Sequence, residues 1–454
     1  MQSELLSEIQ ELNPWLLSPS SPILPLIDKF IPRLQTQKLL QKSWDDLCLT
    51  LIGPRQAGKT TLAKYISQTL IEQERFTHFL YLNCDLHLIR QWVAHLSFIK
   101  EATEQFNLHH PIIFLDEVQR LENPGLLLKS IVDLKQPLKL IASGSSQLEV
   151  KSQVQEYLTG RQLEAVILPL SYSELSSKAI SEDLLIYGCY PQIVNTSEKS
   201  ILLKSLFQTY IDKDIIEIFK IGKPDIMQQL IGLIAHSSGQ LVNYQSLAND
   251  CRVSIPTIQN YLSILERTYV IAKIKPFVGN KRQEIISNPI YYFIDNGFRN
   301  QALNNFLSLE RRTDKGLLIQ SAVFQEIYKF KEQYFSPFHI HYWRSKGGAE
   351  VDFILYKNSD SFLPIEAKFR HLTKPTISRG FYSFIEAYQP KQGIIITKQF
   401  TAKRKVGECT VLFIPFHDLN RIFPLIMNFF EIGEIKTKNW IATAVTPPRD
   451  DERK

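Results

Sequence analysis

A chain of 454 residues exceeds what one hydrophobic core usually organises, so several domains are expected, and its 44% apolar and 22% charged content is that of a soluble globular protein. A formal net charge of +6 permits a polyanionic partner without requiring one. Five scattered cysteines (Cys48, Cys84, Cys189, Cys251, Cys409) with no C-x-x-C pair argue against a zinc site, and the acidic start "MQSELLSEIQELNPW" and lack of a spanning apolar run argue against secretion and membrane insertion. A cytoplasmic location with no membrane partner is the resulting expectation.

In chain order, residues 1–45 read as a helix, the Pro/Ser-rich linker "NPWLLSPSSPILP" and a second helix ending near Trp44. From 46 to 170, short apolar runs ("LCLTLIG", "THFLYLNC", "PIIFLDE", "LKLIASG", "EAVILPL") alternate with helical stretches, the pattern of buried parallel strands in an α/β domain. Residues 171–224 read as a helical lid. Over 225–300, three helices and two β-like runs follow the order of a winged helix-turn-helix. Residues 301–400 run helix, three strands, helix, strand, and 401–454 read as a polar tail.

"GPRQAGKTT" fits G-x-x-x-x-G-K-[ST] between an apolar strand and a helix. Its glycines let backbone N–H groups wrap phosphates, and the helix N-terminus adds positive dipole. The nucleotide-binding set is therefore Gly53, Pro54, Arg55, Gln56, Ala57, Gly58, Lys59, Thr60 and Thr61, with Lys59 reaching the β- and γ-phosphates and the Thr60 hydroxyl reaching Mg²⁺. The strand "IIFLDE" ends in Asp116, placed for the metal, and Glu117, placed to polarise the attacking water. Ser143 or Ser145 in "LKLIASGSS" is the candidate γ-phosphate sensor, with turn chemistry as the plainer alternative, and Arg161 in "LTGRQ" is a candidate arginine finger. The lone Asn-Lys pair, in "GNKRQE", lacks the Asp of a guanine site, which leaves adenine and hence ATP with Mg²⁺.

The succession of phosphate loop, "FLDE", "ASGSS", "LTGR", "LPLSYSE", "YGCYPQIV" and "NPIYYFIDNG" resembles bacterial and archaeal AAA-type ATPases that end in a poorly characterised domain of PD-(D/E)XK nuclease type. The resemblance covers nearly the whole chain and implies an ATPase core, a helical lid, a winged helix and a nuclease-like end. The chain departs from the pattern in "YGCYPQIV", where Cys189 and Gln192 stand in place of the second Gly and the Glu of G-G-F-P-E.

The C-terminal order of elements is the core topology of PD-(D/E)XK nucleases. Asp352 falls on the second strand, Glu366 and Lys368 two apart on the third and so on one side, and Glu326 on the preceding helix is the usual fourth member. Carboxylates at Asp352 and Glu366 are metal candidates, and a lysine there positions the attacking water and steadies charge at phosphorus. The plainer alternative is a salt-bridged E-x-K surface pair, and the same shell also serves binding without cleavage. Gln259 and Asn260, on the would-be recognition helix, are placed to reach base edges. Two partner classes stay open, DNA or RNA on one side and a protein on the other, as does the oligomeric state.

Overall fold

The computed structural model describes residues 3–18, 21–23, 30–144, 158–175, 181–277, 288–334 and 336–432, the side chain of Asp214 excepted. Five buried apolar strands, β1 (Cys48–Ile52), β2 (His78–Asn83), β3 (Pro111–Asp116), β4 (Lys139–Gly144) and β5 (Gln162–Val166), form an all-parallel sheet in the order β2-β3-β4-β1-β5. Parallel strands have both faces covered, which is why they read as unbroken apolar runs. One face packs on α2 (Lys59–Glu72) through Leu49, Leu51, Leu62, Ile66, Phe79 and Phe114.

The helix α1 (Ser3–Leu12) leads into a segment that closes the free edge of β2. The Asn13 amide donates to the Tyr81 carbonyl at 2.9 Å and accepts from the Tyr81 N–H at 2.6 Å, and the Trp15 indole donates to the Phe79 carbonyl at 2.8 Å. Side chains thus satisfy edge groups that would otherwise template further pairing.

The helix α3 (Pro124–Asp133) lies between β3 and β4; after β5 come α4 (Glu182–Tyr187) and α5 (Lys199–Thr209), followed by α6 (Pro224–His236), α7 (Tyr244–Cys251) and α8 (Ile255–Arg267). Ser254 caps α8 by accepting from the Thr257 N–H, and Ile258, Tyr261, Leu262 and Leu265 form its buried stripe, leaving Gln259 and Asn260 exposed on the outer face.

The strands β6 (Ile271–Pro276) and β7 (Ile290–Phe293) pair antiparallel, and β6 continues in parallel with β8 (His339–Arg344), Lys275 lying opposite His341. One mixed eight-stranded sheet results, in the order β12-β13-β11-β10-β9-β8-β6-β7, where β9 is Glu350–Asn358, β10 Ser361–Lys368, β11 Gln392–Thr397, β12 Ala402–Val406 and β13 Cys409–Pro415. The stretch beyond 401, read from sequence as a tail, in fact continues the sheet: β13 pairs with β11 over Gln392–Thr397. Its apolar run "TVLFIP" is the missed signal. Residues 433–454 lie outside the described residues.

The helices α9 (Asn296–Ala302), α10 (Lys315–Gln333), α11 (Arg379–Tyr388) and α12 (Ile422–Phe430) complete the C-terminal half. The helix α10 touches β5 of the first sheet and β7 and β10 of the second. A single apolar core runs through it, from Leu80, Leu115 and Val166 to Leu318, Phe324, Phe353 and Leu363. No described helix is long and apolar enough to cross a membrane.

Candidate functional site

The loop between β1 and α2 carries Gly53 at φ +147 and Gly58 at φ +97, and a side chain at Gly53 would collide with the Ile167 carbonyl. The loop hugs the end of β5 for that reason, and only glycine fits there. Lys59, buried, donates to the carbonyls of Gly53 at 3.0 Å and Pro54 at 2.9 Å, so its ammonium sits inside the loop's curve. Ala57 is buried, Gln56 and Thr61 are exposed, and Pro54 and Arg55 complete the turn.

Because β4 lies between β1 and β3, the residue ending β3 faces the loop across one strand. Asp116 is buried and accepts from the Thr60 hydroxyl at 2.8 Å, the Tyr81 hydroxyl at 3.1 Å, its neighbour's Glu117 N–H at 3.1 Å and the Ser143 hydroxyl. Thr60 and Asp116 therefore present one hydroxyl and one carboxylate side by side, the hard-oxygen set that suits Mg²⁺ shared with a phosphate chain. Glu117 adopts the left-handed conformation (φ 57, ψ 42), uncommon for a side chain of its kind and worth about 1–2 kcal/mol of strain, and its carboxylate accepts from Gln119. Ser143 thus holds Asp116, and Ser145 lies outside the described residues.

Arg161 does not reach this pocket in its own chain. It precedes β5 at the opposite end of the sheet: its carbonyl accepts from the N–H of Cys48, the first residue of β1, and its guanidinium pairs with Asp133 at the end of α3 at 2.9 Å. Strand direction, invisible in the "LTGRQ" motif itself, sets this distance from its own loop: five strand residues separate the two ends by roughly 16 Å.

Sequence reasoning missed Arg33. Its guanidinium donates to the Ala57 carbonyl of the phosphate loop, to the Leu168 carbonyl at 2.8 Å and to Glu174 at 3.1 Å, an ion pair buried on both sides. Glu174 also accepts from the N–H groups of Leu34 and Ser171. The segment 168–174, "LPLSYSE", then engages the C-terminal half: the Tyr172 N–H donates to Glu326 at 2.8 Å, and the Lys329 ammonium donates to the Leu170 carbonyl at 2.9 Å. Its third neighbour is the "YGCYP" loop, where Leu170 N–H donates to the Cys189 carbonyl and Cys189 N–H to Asp295 at 2.8 Å. Gly188, at φ +81, leaves no room for a side chain beside Asp295. Burial pushes the Asp295 carboxyl up, and raises Glu326 to about 7.

Glu326 consequently belongs to this junction and not to the C-terminal cluster. Six residues separate it from Gln320, about 9 Å along α10 and on another face, and it is Gln320 that donates to Asp352, at 2.9 Å. Asp352 is re-aimed by a bulge: β8 and β9 shift register between His341 and Trp343, so Asp352 and Phe353 together face Tyr342. Its other oxygen accepts from the Ala367 N–H at 2.7 Å, standing in for the ladder where β9 and β10 part. Burial, and then the Glu366 charge, push Asp352 up to about 7.

Glu366 pairs with Lys368 at 3.1 Å and accepts from the Ser378 hydroxyl at 2.8 Å, and Ser378 in turn caps α11 by accepting from the Phe381 N–H. Burial raises the Glu366 carboxyl while Lys368 counters. Asp352, Glu366 and Lys368 are thus neighbours, as their spacing suggested, and Gln320 and Ser378 are the unanticipated members. Among the described residues, no group of three or more His, Cys, Asp or Glu is arranged to hold a metal. Two carboxylates, each already hydrogen-bonded, make a thin donor set that suits Mg²⁺ only with a phosphate completing it.

Residues 45–176 match the family described as AAA domain, 179–309 a domain of unknown function (DUF8612) and 315–418 another (DUF4143). The chain is 24% identical over 435 residues to an uncharacterized protein of Methanocaldococcus jannaschii, covering 86% of this chain and 87% of that one. It is 26% identical over 292 residues to an uncharacterized protein of Haemophilus influenzae, covering 59% and 72%. A solved structure titled replication initiator DnaA bound to AMPPCP and single-stranded DNA is similar with a TM-score of 0.27 at 14% identity, over 54% of this chain and 92% of that one. Residues 45–176, the N-terminal α/β unit with its phosphate loop, are thus similar to AAA domains.

Proposed function

We propose that the protein binds and hydrolyses ATP with Mg²⁺ and transmits its nucleotide state to a C-terminal PD-(D/E)XK-like module that engages nucleic acid. The single observation that supports transmission is Arg33, which holds the phosphate loop at Ala57 with the same guanidinium that holds Leu168 and Glu174. Phosphates entering the loop draw Lys59 off the Gly53 and Pro54 carbonyls, the loop shifts against Arg33, and the segment 168–174 carries the shift to Glu326 and Lys329 on α10. The same helix bears Gln320, the donor to Asp352. In the pocket, Thr60 and Asp116 would hold Mg²⁺, which neutralises phosphate charge when bound; Glu117 orients water, and Lys59 steadies the β- and γ-phosphates.

The three helices followed by the β6–β7 pair are read as a winged helix, with Gln259 and Asn260 exposed on its outer helix. A second reading, binding without cleavage, is favoured by one observation: Gln320 occupies the helix position beside Asp352 where a third carboxylate would strengthen metal binding. ATP turnover measured with and without DNA and RNA, alongside cleavage of the same strands in Mg²⁺ or Mn²⁺, tests both. Turnover that changes on adding nucleic acid supports the coupling, turnover indifferent to every strand points to a protein partner, and cleavage decides between the two readings of the C-terminal site.

A further inference from the structure

A groove of about 1220 Å³ opens away from both sites, over the strands that join the two halves of the large sheet. Register places its lining. Lys275 of β6 lies opposite His341 of β8, His339 lies opposite Tyr356 of β9, and Tyr356 lies opposite Phe362 of β10. Residues directly opposite, or two apart on a strand, share a face. Basic and aromatic side chains therefore form one stripe running across four strands.

Phe277 sits in the middle of this stripe, with its ring 5.5 Å from Tyr356 and 5.3 Å from Tyr388 of α11, and all three rings are partly exposed. At the rim, Lys275 and Lys357 are exposed. Four lysines line the groove against a single lining acid, Glu266, whose charge is taken up by Lys273 at 3.7 Å; Lys331 is paired with Glu332 at 2.9 Å, and Lys357 donates to the neutral Phe430 carbonyl at 3.1 Å. The remaining excess is the charge of Lys275 and Lys357, and it lies beside flat apolar faces.

We infer that this groove binds single-stranded nucleic acid, its lysines following the phosphates and its exposed rings receiving unpaired bases. The inference rests on the nucleic-acid reading above and adds the surface and the strand class. A duplex keeps its bases stacked inside and offers this groove phosphate alone, whereas a single strand offers both phosphate and π-faces. An acidic protein segment would use the lysines and leave the rings without a stacking partner. The groove is distinct from the Asp352 pocket, which lies beside Gln320 and Arg344, so binding here does not require cleavage there.

The test is fluorescence anisotropy with the full chain, a labelled oligothymidylate of about 20 nucleotides and a duplex of the same length, at salt from about 50 to 200 mM. The wild type is expected to bind the single strand more tightly than the duplex, with affinity falling as salt rises. Lys275→Glu/Lys357→Glu should lose affinity about tenfold or more and flatten the salt slope, because two phosphate contacts become repulsions. Tyr356→Ala should weaken binding about tenfold while Tyr356→Phe keeps it, a split that stacking produces and a hydroxyl contact does not. ATP turnover, read on every variant, reports folding. Unchanged binding in the charge and Tyr356→Ala variants would overturn the groove while leaving the nucleic-acid reading standing. A wild-type preference for the duplex would overturn the strand class. Absence of binding to either would overturn both.

Discussion

Arg33 and Glu174 stand 141 residues apart and meet at 3.1 Å with almost no solvent on either side chain. Glu174 would be an unpaired buried carboxylate without its partner, and the Ala57 and Leu168 carbonyls would lose a donor. Arg33→Met should therefore cost about 3–5 kcal/mol, and Arg33→Met/Glu174→Leu less than the sum of the single changes, because the second substitution removes the stranded charge. Thermal unfolding of the three variants in a double-mutant cycle checks this; strictly additive losses would mean that the two side chains are independent.

Hydrolysis divides between two residues. Lys59→Ala removes the ammonium at the loop's centre and should abolish ATP binding, whereas Glu117→Gln should bind ATP and lower turnover by about a hundredfold or more, the usual worth of a positioned base. Equilibrium binding of a fluorescent ATP analogue together with phosphate release separates the two, and wild-type turnover in Glu117→Gln would remove Glu117 from the mechanism.

The corrected place of Glu326 has a pH signature. Its native carboxyl titrates at about 7 against an ordinary 4.5, raised by burial, so between those values the folded protein holds a proton that the unfolded chain has released. Stability from this group is present on the acid side and lost as pH rises through 7. The loss from pH 6 to pH 8 is about 1 kcal/mol. Glu326→Gln should reduce the difference in melting temperature between pH 6 and pH 8, with Asp352, also raised to about 7, supplying the remainder, and an unchanged difference would show that Glu326 does not titrate there.

Cleavage, if assayed, should depend on Asp352 and Lys368 and not on Glu326. Asp352→Asn and Lys368→Ala should each remove any Mg²⁺- or Mn²⁺-supported phosphodiester cleavage, since they touch Glu366 or its neighbours, whereas Glu326→Gln should retain it. Gln320→Glu adds a third carboxylate beside Asp352 and should tighten Mn²⁺ binding, read by calorimetry without nucleotide. Loss of cleavage in Glu326→Gln with ATP turnover intact would return Glu326 to the C-terminal site.

What the sequence displayed and what it hid follow from range. The phosphate loop, Asp116 with Glu117, and the Glu366–Lys368 pair are local: a strand, a turn and a two-residue period place them, so composition along a few residues suffices. Arg33 carries no local signal, sitting in "IPRLQ" after a linker, and its role exists only because β5 delivers Leu168 beside Ala57. The placing of Arg161 and Glu326 is hidden for the same reason in reverse. Their motifs were legible, but the end of the strand and the face of the helix on which each lies are set by tertiary pairing. Gln320 is the counterpart: helical phase, counted back from Glu326, separates the two faces of α10, but only the bulge at Asp352 tells which face it meets.

Coupling of the phosphate loop to α10 through Arg33 is read by hydrogen–deuterium exchange. With a non-hydrolysable ATP analogue, the wild type should change amide protection in 168–174 and in Lys315–Gln333 as well as in the loop. Arg33→Lys keeps the charge but cannot present a planar fork to Ala57, Leu168 and Glu174 together, so it should bind the analogue and confine the change to the loop. Protection in Lys315–Gln333 that ignores nucleotide in the wild type would mean that the loop and α10 are uncoupled, and protection that responds equally in Arg33→Lys would mean that Arg33 does not carry the coupling.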